Sequence, residues 1–271
     1  MNAAPSTASL ASDVRPVAID ALRANWRSER SALIDAFRVS QDPDVLLRGL
    51  AALADRTLQA LWTGIAPPRQ YALVAVGGYG RGLLYPHSDV DLLILAPVSP
   101  TGEAVACIER FVGACWDIGL EIGHSVRTTE ECLRESASDV TVLTSLLERR
   151  YLAGSRTRVD ELAHRYSAAL RADAFFSAKL LEMRQRHAKH DDTPYALEPN
   201  TKESPGGLRD LQVIGWIARA AGFGHNWGEL HARGLITASE AAQLRGNERR
   251  IARIRAWLHI LANRREDRLV F

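Results

Sequence analysis

Asp89 and Asp91 stand two residues apart, at the start of an apolar run that reaches Leu95. Because alternate residues of a β-strand project to one face, we expect the two carboxylates side by side, roughly 6–7 Å apart along the chain. Carboxylates this close repel each other unless a divalent cation neutralises them. Mg²⁺ suits such a pair, since it is a hard ion that takes one or two carboxylates together with substrate phosphates.

Gly77 and Gly78 precede this pair and follow another apolar run, residues 71–76. Glycine lets the backbone approach a ligand closely, and N–H groups at the start of a helical turn bind phosphate. The segment lacks the Gly-Lys-Ser/Thr of a P-loop, and its glycines do not fit the dinucleotide-binding fingerprint. An Asp-x-Asp pair by itself is usually just solvated. With a Gly-Gly turn upstream and an apolar strand on each side, it predicts phosphoryl or nucleotidyl transfer from a nucleoside triphosphate.

The elements that position these residues alternate between two periodicities. Short apolar or alternating runs predict strands at 71–76, 90–95 and 120–127, whereas helical spacing dominates before residue 63 and after residue 128. The predicted fold class is therefore α+β, with a small mixed sheet embedded in a mainly helical chain. We predict a disordered terminus at 1–14, N-terminal helices at 15–68, a catalytic core at 69–135 and a helical region at 136–271 that completes the nucleotide pocket.

Composition excludes several classes of protein. The 271 residues are 46% hydrophobic and 24% charged with a net charge of +2, which is ordinary globular composition with no nucleic-acid footprint. No apolar run approaches the ~20 residues that a membrane span needs. The three cysteines include no CxxC pair, and the first residues do not resemble a signal peptide, so we expect a cytoplasmic protein. The apolar end Leu269-Val270-Phe271 suggests a chain cut from a longer one.

Three segments resemble one known family, the bacterial PII-protein uridylyltransferases of the DNA polymerase β nucleotidyltransferase superfamily. They read VGGYGRG and PHSDVDLL within 76–93, GLEIGHSVR at 119–127, and LEPNTKESPGGLRD at 197–210. Their order and separation make the resemblance specific over about residues 70–215. Leu83 departs from the pattern, because the family favours Glu at that position.

The resemblance implies a polymerase β-like sheet and transfer of UMP from UTP to a tyrosine of the trimeric PII signalling protein, with release of pyrophosphate. Asp89 and Asp91 would hold Mg²⁺, joined by a third carboxylate from a neighbouring strand. Glu121 is our choice for that carboxylate, because it lies between two apolar residues, and Asp117 is the second choice. His124 is either a base on the acceptor side or, as we favour, a structural histidine.

The resemblance also implies residues that bind the nucleotide. Gly77 and Gly78 would cradle the phosphates, with Ser88 and Arg81 as polar contacts, although Arg81 suits a solvent-exposed turn equally well. Lys202 and Arg209 flank a Pro-Gly-Gly turn and would bind the triphosphate or the uracil, the alternative being ordinary surface charges. Asn200 and Asp210 are weaker candidates.

The family also carries a metal-dependent hydrolase that removes UMP, and regulatory domains beyond it. His190-Asp191 lacks the further spaced ligands of such a hydrolase, and His187 with His190 lacks a third zinc ligand, so we expect transfer without removal. Two alternatives stay open. One is the same chemistry with ATP or another acceptor, and the other is a catalytically silent fragment that binds PII or nucleotide.

Overall fold

The computed structural model describes residues 19–190, 192–193 and 195–270, so the predicted disordered terminus at 1–14 lies outside the described residues. The helices in this part of the chain are α1 (Ile19–Ser40), α2 (Pro43–Ile65), α3 (Gly77–Gly80), α4 (Glu103–Ile118), α5 (Thr129–Ser138), α6 (Val140–Leu147), α7 (Arg156–Ala169), α8 (Ala172–Ala188), α9 (Leu208–Ala220), α10 (Trp227–Ala232) and α11 (Ala238–Ala262). The strands are β1 (Ala72–Ala75), β2 (Val90–Leu95), β3 (Ile122–Arg127) and β4 (Arg150–Gly154).

The four strands form one mixed sheet in the order β3-β2-β1-β4. β1 pairs antiparallel with both β2 and β4, whereas β2 and β3 run parallel. This small mixed sheet inside a mainly helical chain confirms the predicted α+β fold class. β4 was not predicted, because its five residues show neither an apolar run nor a regular alternation.

Both faces of the sheet are covered, which explains why the central strands are apolar throughout. Leu73, Leu92 and Ile94 pack on one face in a cluster that includes α2 and α4. Val74 and Leu93 lie on the other face, in a cluster with residues of α6, α7, α8 and α9. Because side chains alternate along a strand, Asp91 lies on the same face as Leu93, near the start of β2.

α11 packs against α2 and α9 and ends at Ala262, after which Asn263 adopts a left-handed conformation with φ 50°. The chain then runs beside residues 199–201, where Asn200 and Arg268 form an antiparallel bridge. Within the described residues, no helix combines the length and the apolar character needed to cross a bilayer.

Candidate active site

Asp89 and Asp91 mark the beginning of β2, and their environments differ. Asp91 is partly buried, whereas Asp89 is exposed. Burial raises the pKa of Asp91, and the neighbouring charge of Asp89 raises it further, while Lys202, Arg265 and Arg81 act in the opposite direction. The two carboxylates are therefore close enough to repel each other, as their spacing predicts.

The Gly-Gly turn packs directly on Asp91. Gly77 has φ +54°, and a Cβ atom built on it would lie 3.0 Å from Oδ2 of Asp91, so a side chain there would be strained and crowded. The backbone N–H of Val76 donates to the carbonyl of Asp91 over 3.1 Å. The turn between β1 and α3 is thereby fixed against the aspartate.

Two further contacts hold this turn, and both involve residues far away in sequence. A Cβ atom on Gly80 would lie 2.1 Å from the carbonyl oxygen of Glu148, so only glycine fits there. The buried Tyr79 donates its phenol hydrogen to Asp55, which accepts two hydrogen bonds from Arg150 over 2.6 and 2.9 Å. Burial and the charge of Asp55 raise the pKa of Tyr79, so the phenol stays protonated as a donor.

Arg81 is positioned by a buried carboxylate rather than left free in solvent. Its Nη1 donates to both oxygens of Glu148 over 2.7 and 2.8 Å, and the indole N–H of Trp216 donates to Glu148 over 2.6 Å. The Glu148 side chain is 3% exposed and that of Arg81 27%. The arginine is thus fixed at a cavity wall with part of its guanidinium accessible.

The loop at 200–207 is ordered by its own side chains. Oδ1 of Asn200 accepts the backbone N–H groups of Lys202 and Glu203 over 2.9 and 2.8 Å. A Cβ atom on Gly207 would lie within 3.0 Å of three carbonyl oxygens, so glycine closes the turn. Asn200 therefore shapes the loop that carries Lys202, a structural role that its position in the motif does not reveal.

Lys202 and Arg209 lie close to one another above the aspartates. Burial lowers the pKa of Lys202, and the charge of Arg209 lowers it further. Arg209 pairs with Glu203 over 3.1 Å and lies over the ring of Trp216, with its guanidinium carbon 5.3 Å from the ring centroid. Both cations are partly buried, which argues against the alternative of ordinary surface charges.

A cavity of about 480 Å³ brings most of the predicted site residues together. Seven of them line it: Gly78, Arg81, Ser88, Asp89, Asp91, Lys202 and Arg209. Five further cations of this lining belong to none of the sequence motifs: Arg48, Arg245, Arg249, Arg255 and Arg265. With these the lining holds eight cations against four carboxylates. Such an excess suits a polyanionic ligand.

A second cavity of about 500 Å³ also borders Asp91. It shares Gly78, Asp91 and Arg209 with the first and also contains Gly77. Its other polar lining includes His124, Ser125, Thr141, Ser145 and Lys179. His124 is exposed here, on β3, and lines this cavity.

The structure does not bring Glu121 to the aspartates. Glu121 precedes β3 and lines a separate cavity of about 330 Å³ with Arg30 and His87. The residue of β3 in register with Asp91 is Gly123, and a Cβ atom there would lie 3.0 Å from Oδ1 of Asp91. Asp117, the second choice, is exposed in the last turn of α4. The parallel pairing of β3, which the sequence did not reveal, decides this placement.

The weaker candidates have structural partners. Asp210 accepts hydrogen bonds from Arg186, from His187 over 3.0 Å and from the backbone N–H of Gly206 over 2.7 Å. It thus joins α8 to the loop before α9. No group of three or more His, Cys, Asp or Glu side chains among the described residues is arranged to hold a metal ion.

The aspartate pair fits a magnesium ion. Two hard carboxylate donors lie together, and burial with mutual repulsion makes the ionised pair costly without a cation. Mg²⁺ commonly takes only one or two protein carboxylates and completes its shell with water and substrate phosphates. A third protein carboxylate is therefore not required for the fit.

Two family comparisons agree with this geometry. Residues 59–149 match the nucleotidyltransferase domain family, and residues 174–271 match the family described as GlnD PII-uridylyltransferase. The first match contains the glycine turn and both aspartates, and the second contains Lys202 and Arg209. The chain carries the nucleotidyltransferase portion of the PII-uridylyltransferase family.

Individual members of the PII-uridylyltransferase family are close in sequence. The chain is 54% identical to the bifunctional uridylyltransferase/uridylyl-removing enzyme of Cupriavidus metallidurans over 92% of its length. It is equally identical to the enzymes of that name from Burkholderia orbicola and Bordetella parapertussis, over 92% and 94% of its length. It spans only 29–30% of the length of these relatives.

Proposed function

We propose that this chain transfers UMP from UTP to a tyrosine hydroxyl of the PII signalling protein and releases pyrophosphate, with Mg²⁺ as cofactor. One observation carries the proposal: the Gly77-Gly78 turn packs on Asp91 at the wall of a strongly cationic cavity. The printed names of the relatives support uridylyl transfer as the chemistry. We expect the reaction in the cytoplasm.

The first cavity is the proposed UTP site. A triphosphate brings about four negative charges and suits a lining that contains eight cations, although some of these already pair with carboxylates outside the lining, as Arg81 does with Glu148 and Arg255 with Asp267. Lys202 and Arg81 flank the aspartates and interact electrostatically with Asp91. Arg81 is held by Glu148 and Lys202 by the Asn200 turn, so both charges are positioned before the nucleotide binds, which lowers the entropic cost of binding.

Asp89 and Asp91 would hold the Mg²⁺. When bound, this ion neutralises charge on the triphosphate and favours the ionised form of an attacking hydroxyl. The carboxylates would hold the ion at the start of β2. Arg81 and Lys202 stabilise the negative charge that develops on the leaving pyrophosphate, because they line the same cavity.

The second cavity is the proposed entrance for the acceptor tyrosine. Displacement at the α-phosphorus requires the attacking oxygen and the leaving pyrophosphate on opposite sides. Asp91 lines both cavities, so an acceptor entering past Ser125 and Ser145 would reach Asp91 from a cavity other than the proposed UTP site. The tyrosine oxygen then forms a bond to the α-phosphorus while the bond from that phosphorus to pyrophosphate breaks, and the phenolic proton is released to water.

The test incubates the 271-residue chain with Mg²⁺, PII protein and either α-labelled UTP or α-labelled ATP. Transfer of label from UTP to PII, and its absence from PII whose acceptor tyrosine is phenylalanine, is the expected result. Asp89→Asn and Asp91→Asn should each lower the rate at least 10²-fold, as expected for loss of a metal ligand. Asp160→Asn, an exposed carboxylate on α7, is the matched control and should leave the rate unchanged.

Three results would count against the proposal. Labelling from ATP alone would show a different nucleotide, and labelling that persists in both aspartate variants would remove the metal site. Binding of UTP without any transfer to PII would favour the silent binding fragment.

A further inference from the structure

The segment that follows α11 is tied to the loop that carries Lys202. The backbone N–H of Leu269 donates to the carbonyl of Pro199 over 3.0 Å, and both the N–H and the hydroxyl of Thr201 donate to the carbonyl of Asp267, over 2.7 and 3.0 Å. The side chain of Asp267 is also anchored, because it accepts hydrogen bonds from Arg255 over 2.6 Å and from His259 over 3.3 Å. Residues 267–269 are therefore tied to residues 199–201, beside the loop whose Lys202 lines the first cavity.

Two successive arginines of this segment have different surroundings. Arg264 is 71% exposed and pairs with Glu266 over 2.8 Å. Arg265 lines the first cavity, and its Nη1 lies 3.3 Å from Oδ2 of Asp89. Arg265 thus makes an ion pair with one of the two proposed metal ligands, from a position far away in sequence.

The ion pair between Arg265 and Asp89 is suited to exchange. The two side chains are 52% and 49% exposed, so water screens their attraction and the pair contributes little to stability. A divalent cation competes for the same carboxylate with twice the charge. Once displaced, the guanidinium remains at the cavity edge because Asp267 anchors its segment, and it then faces the space assigned to the triphosphate.

We propose that Arg265 exchanges partners as the site fills: it pairs with Asp89 in the metal-free site and binds nucleotide phosphate once a divalent cation occupies Asp89. The inference rests on the proposed function, since it takes the first cavity as the nucleotide site. Arginine suits the second role because its planar fork donates two hydrogen bonds to one phosphate. The first role keeps the exposed carboxylate paired until the metal arrives.

Two binding measurements test the exchange in the 271-residue chain, with Arg264→Ala as the matched control. Mn²⁺ alone, measured by the loss of its free electron paramagnetic resonance signal, should bind Arg265→Ala about threefold or more tightly than wild type, because its competitor is gone. A UTP analogue with a non-hydrolysable α,β bridge, in saturating Mn²⁺, should bind Arg265→Ala about tenfold more weakly. Arg265→Lys should restore competition with Mn²⁺ but only part of the analogue affinity. Arg264→Ala should match wild type in both.

Each half of the exchange has its own contrary result. Unchanged Mn²⁺ affinity in Arg265→Ala would remove the pairing with Asp89 as a competitor of the metal. Unchanged analogue affinity, or a wild-type chain that does not bind the analogue, would remove the phosphate role, and either result overturns the proposal. Neither measurement uses PII, so a wild-type chain that binds the analogue but does not label PII would count against the proposed function alone.

Discussion

Glu148 is the buried residue whose removal should most directly disturb the site. Its carboxylate accepts two hydrogen bonds from Arg81 and one from Trp216, and its backbone carbonyl oxygen packs against Gly80. Truncating one member of a buried ion pair costs about 3–5 kcal/mol, because the remaining charge is left without a partner. Arg81 is 27% exposed and regains some hydration, so we expect Glu148→Ala to lower the free energy of unfolding by about 3 kcal/mol.

Glu148→Gln separates the charge of this side chain from its shape. The amide oxygen still accepts from Trp216 or from one nitrogen of Arg81, so the expected loss is about 1–2 kcal/mol. Both variants should also weaken UTP binding, because Arg81 loses the partner that fixes it at the cavity wall. Urea unfolding followed by circular dichroism measures the first effect, and titration with UTP and Mg²⁺ measures the second.

The matched control for Glu148 is Asp160→Asn, which breaks an exposed pair between Asp160 and Arg156 on α7. Such pairs contribute about 0.3–0.5 kcal/mol, so the control should barely shift the urea midpoint. A loss below about 1 kcal/mol for Glu148→Ala would contradict this prediction, since the partly exposed Arg81 would then not depend on the buried carboxylate.

Three further predictions concern the surroundings of the site. Gly80→Ala should destabilise the fold and weaken nucleotide binding, because the new Cβ atom would lie 2.1 Å from the carbonyl oxygen of Glu148. In the control Gly113→Ala, on α4, the new Cβ atom would have no neighbour within 4 Å, so urea unfolding should show no change or a stabilisation of about 0.5–1 kcal/mol. Burial alone would raise the pKa of Asp267, but hydrogen bonds from His259 and Arg255 hold this pKa below its ordinary value of 3.8. Because the pKa of Asp267 is lowered by folding, its carboxylate stabilises the folded chain above about pH 3.8, and this stabilisation is lost on further acidification. Asp267→Asn should therefore reduce the loss of unfolding free energy between neutral and acidic pH. An unchanged loss would show that Asp267 does not contribute to acid sensitivity. Because burial and Asp89 raise the pKa of Asp91, Asp91→Asn should abolish Mn²⁺ binding without lowering the melting temperature, and a marked drop would show that Asp91 serves the fold instead.

β2 was predictable because its sequence signals are local. The apolar runs around 71–76 and 90–95 specify buried strands, and an Asp-x-Asp at the start of the second fixes two carboxylates on one side of it. The Gly77-Gly78 turn is equally local, since its conformation depends on residues that adjoin it. Fold class and the aspartate pair follow from these patterns alone.

Contacts between residues far apart in the sequence could not be predicted from local sequence patterns. Glu148 accepts from residues 67 and 68 positions away, and Arg265 reaches Asp89 across 176 positions. Glu121 fits the sequence pattern of a strand carboxylate, but the register of β3 against β2 puts Gly123 beside Asp91. Register between parallel strands is set by packing of whole elements, which no single segment encodes.

Local sequence patterns specify two neighbouring carboxylates, a glycine turn and the strands that present them. Tertiary packing sets which charges surround these residues, because the arginines of α11 and of the segment after it reach the cavity only when the helix packs in the folded chain. Packing also makes Asp91 part of the lining of two cavities. Backbone conformation is encoded locally, whereas the shape and charge of a cavity arise from elements that meet only in the folded chain.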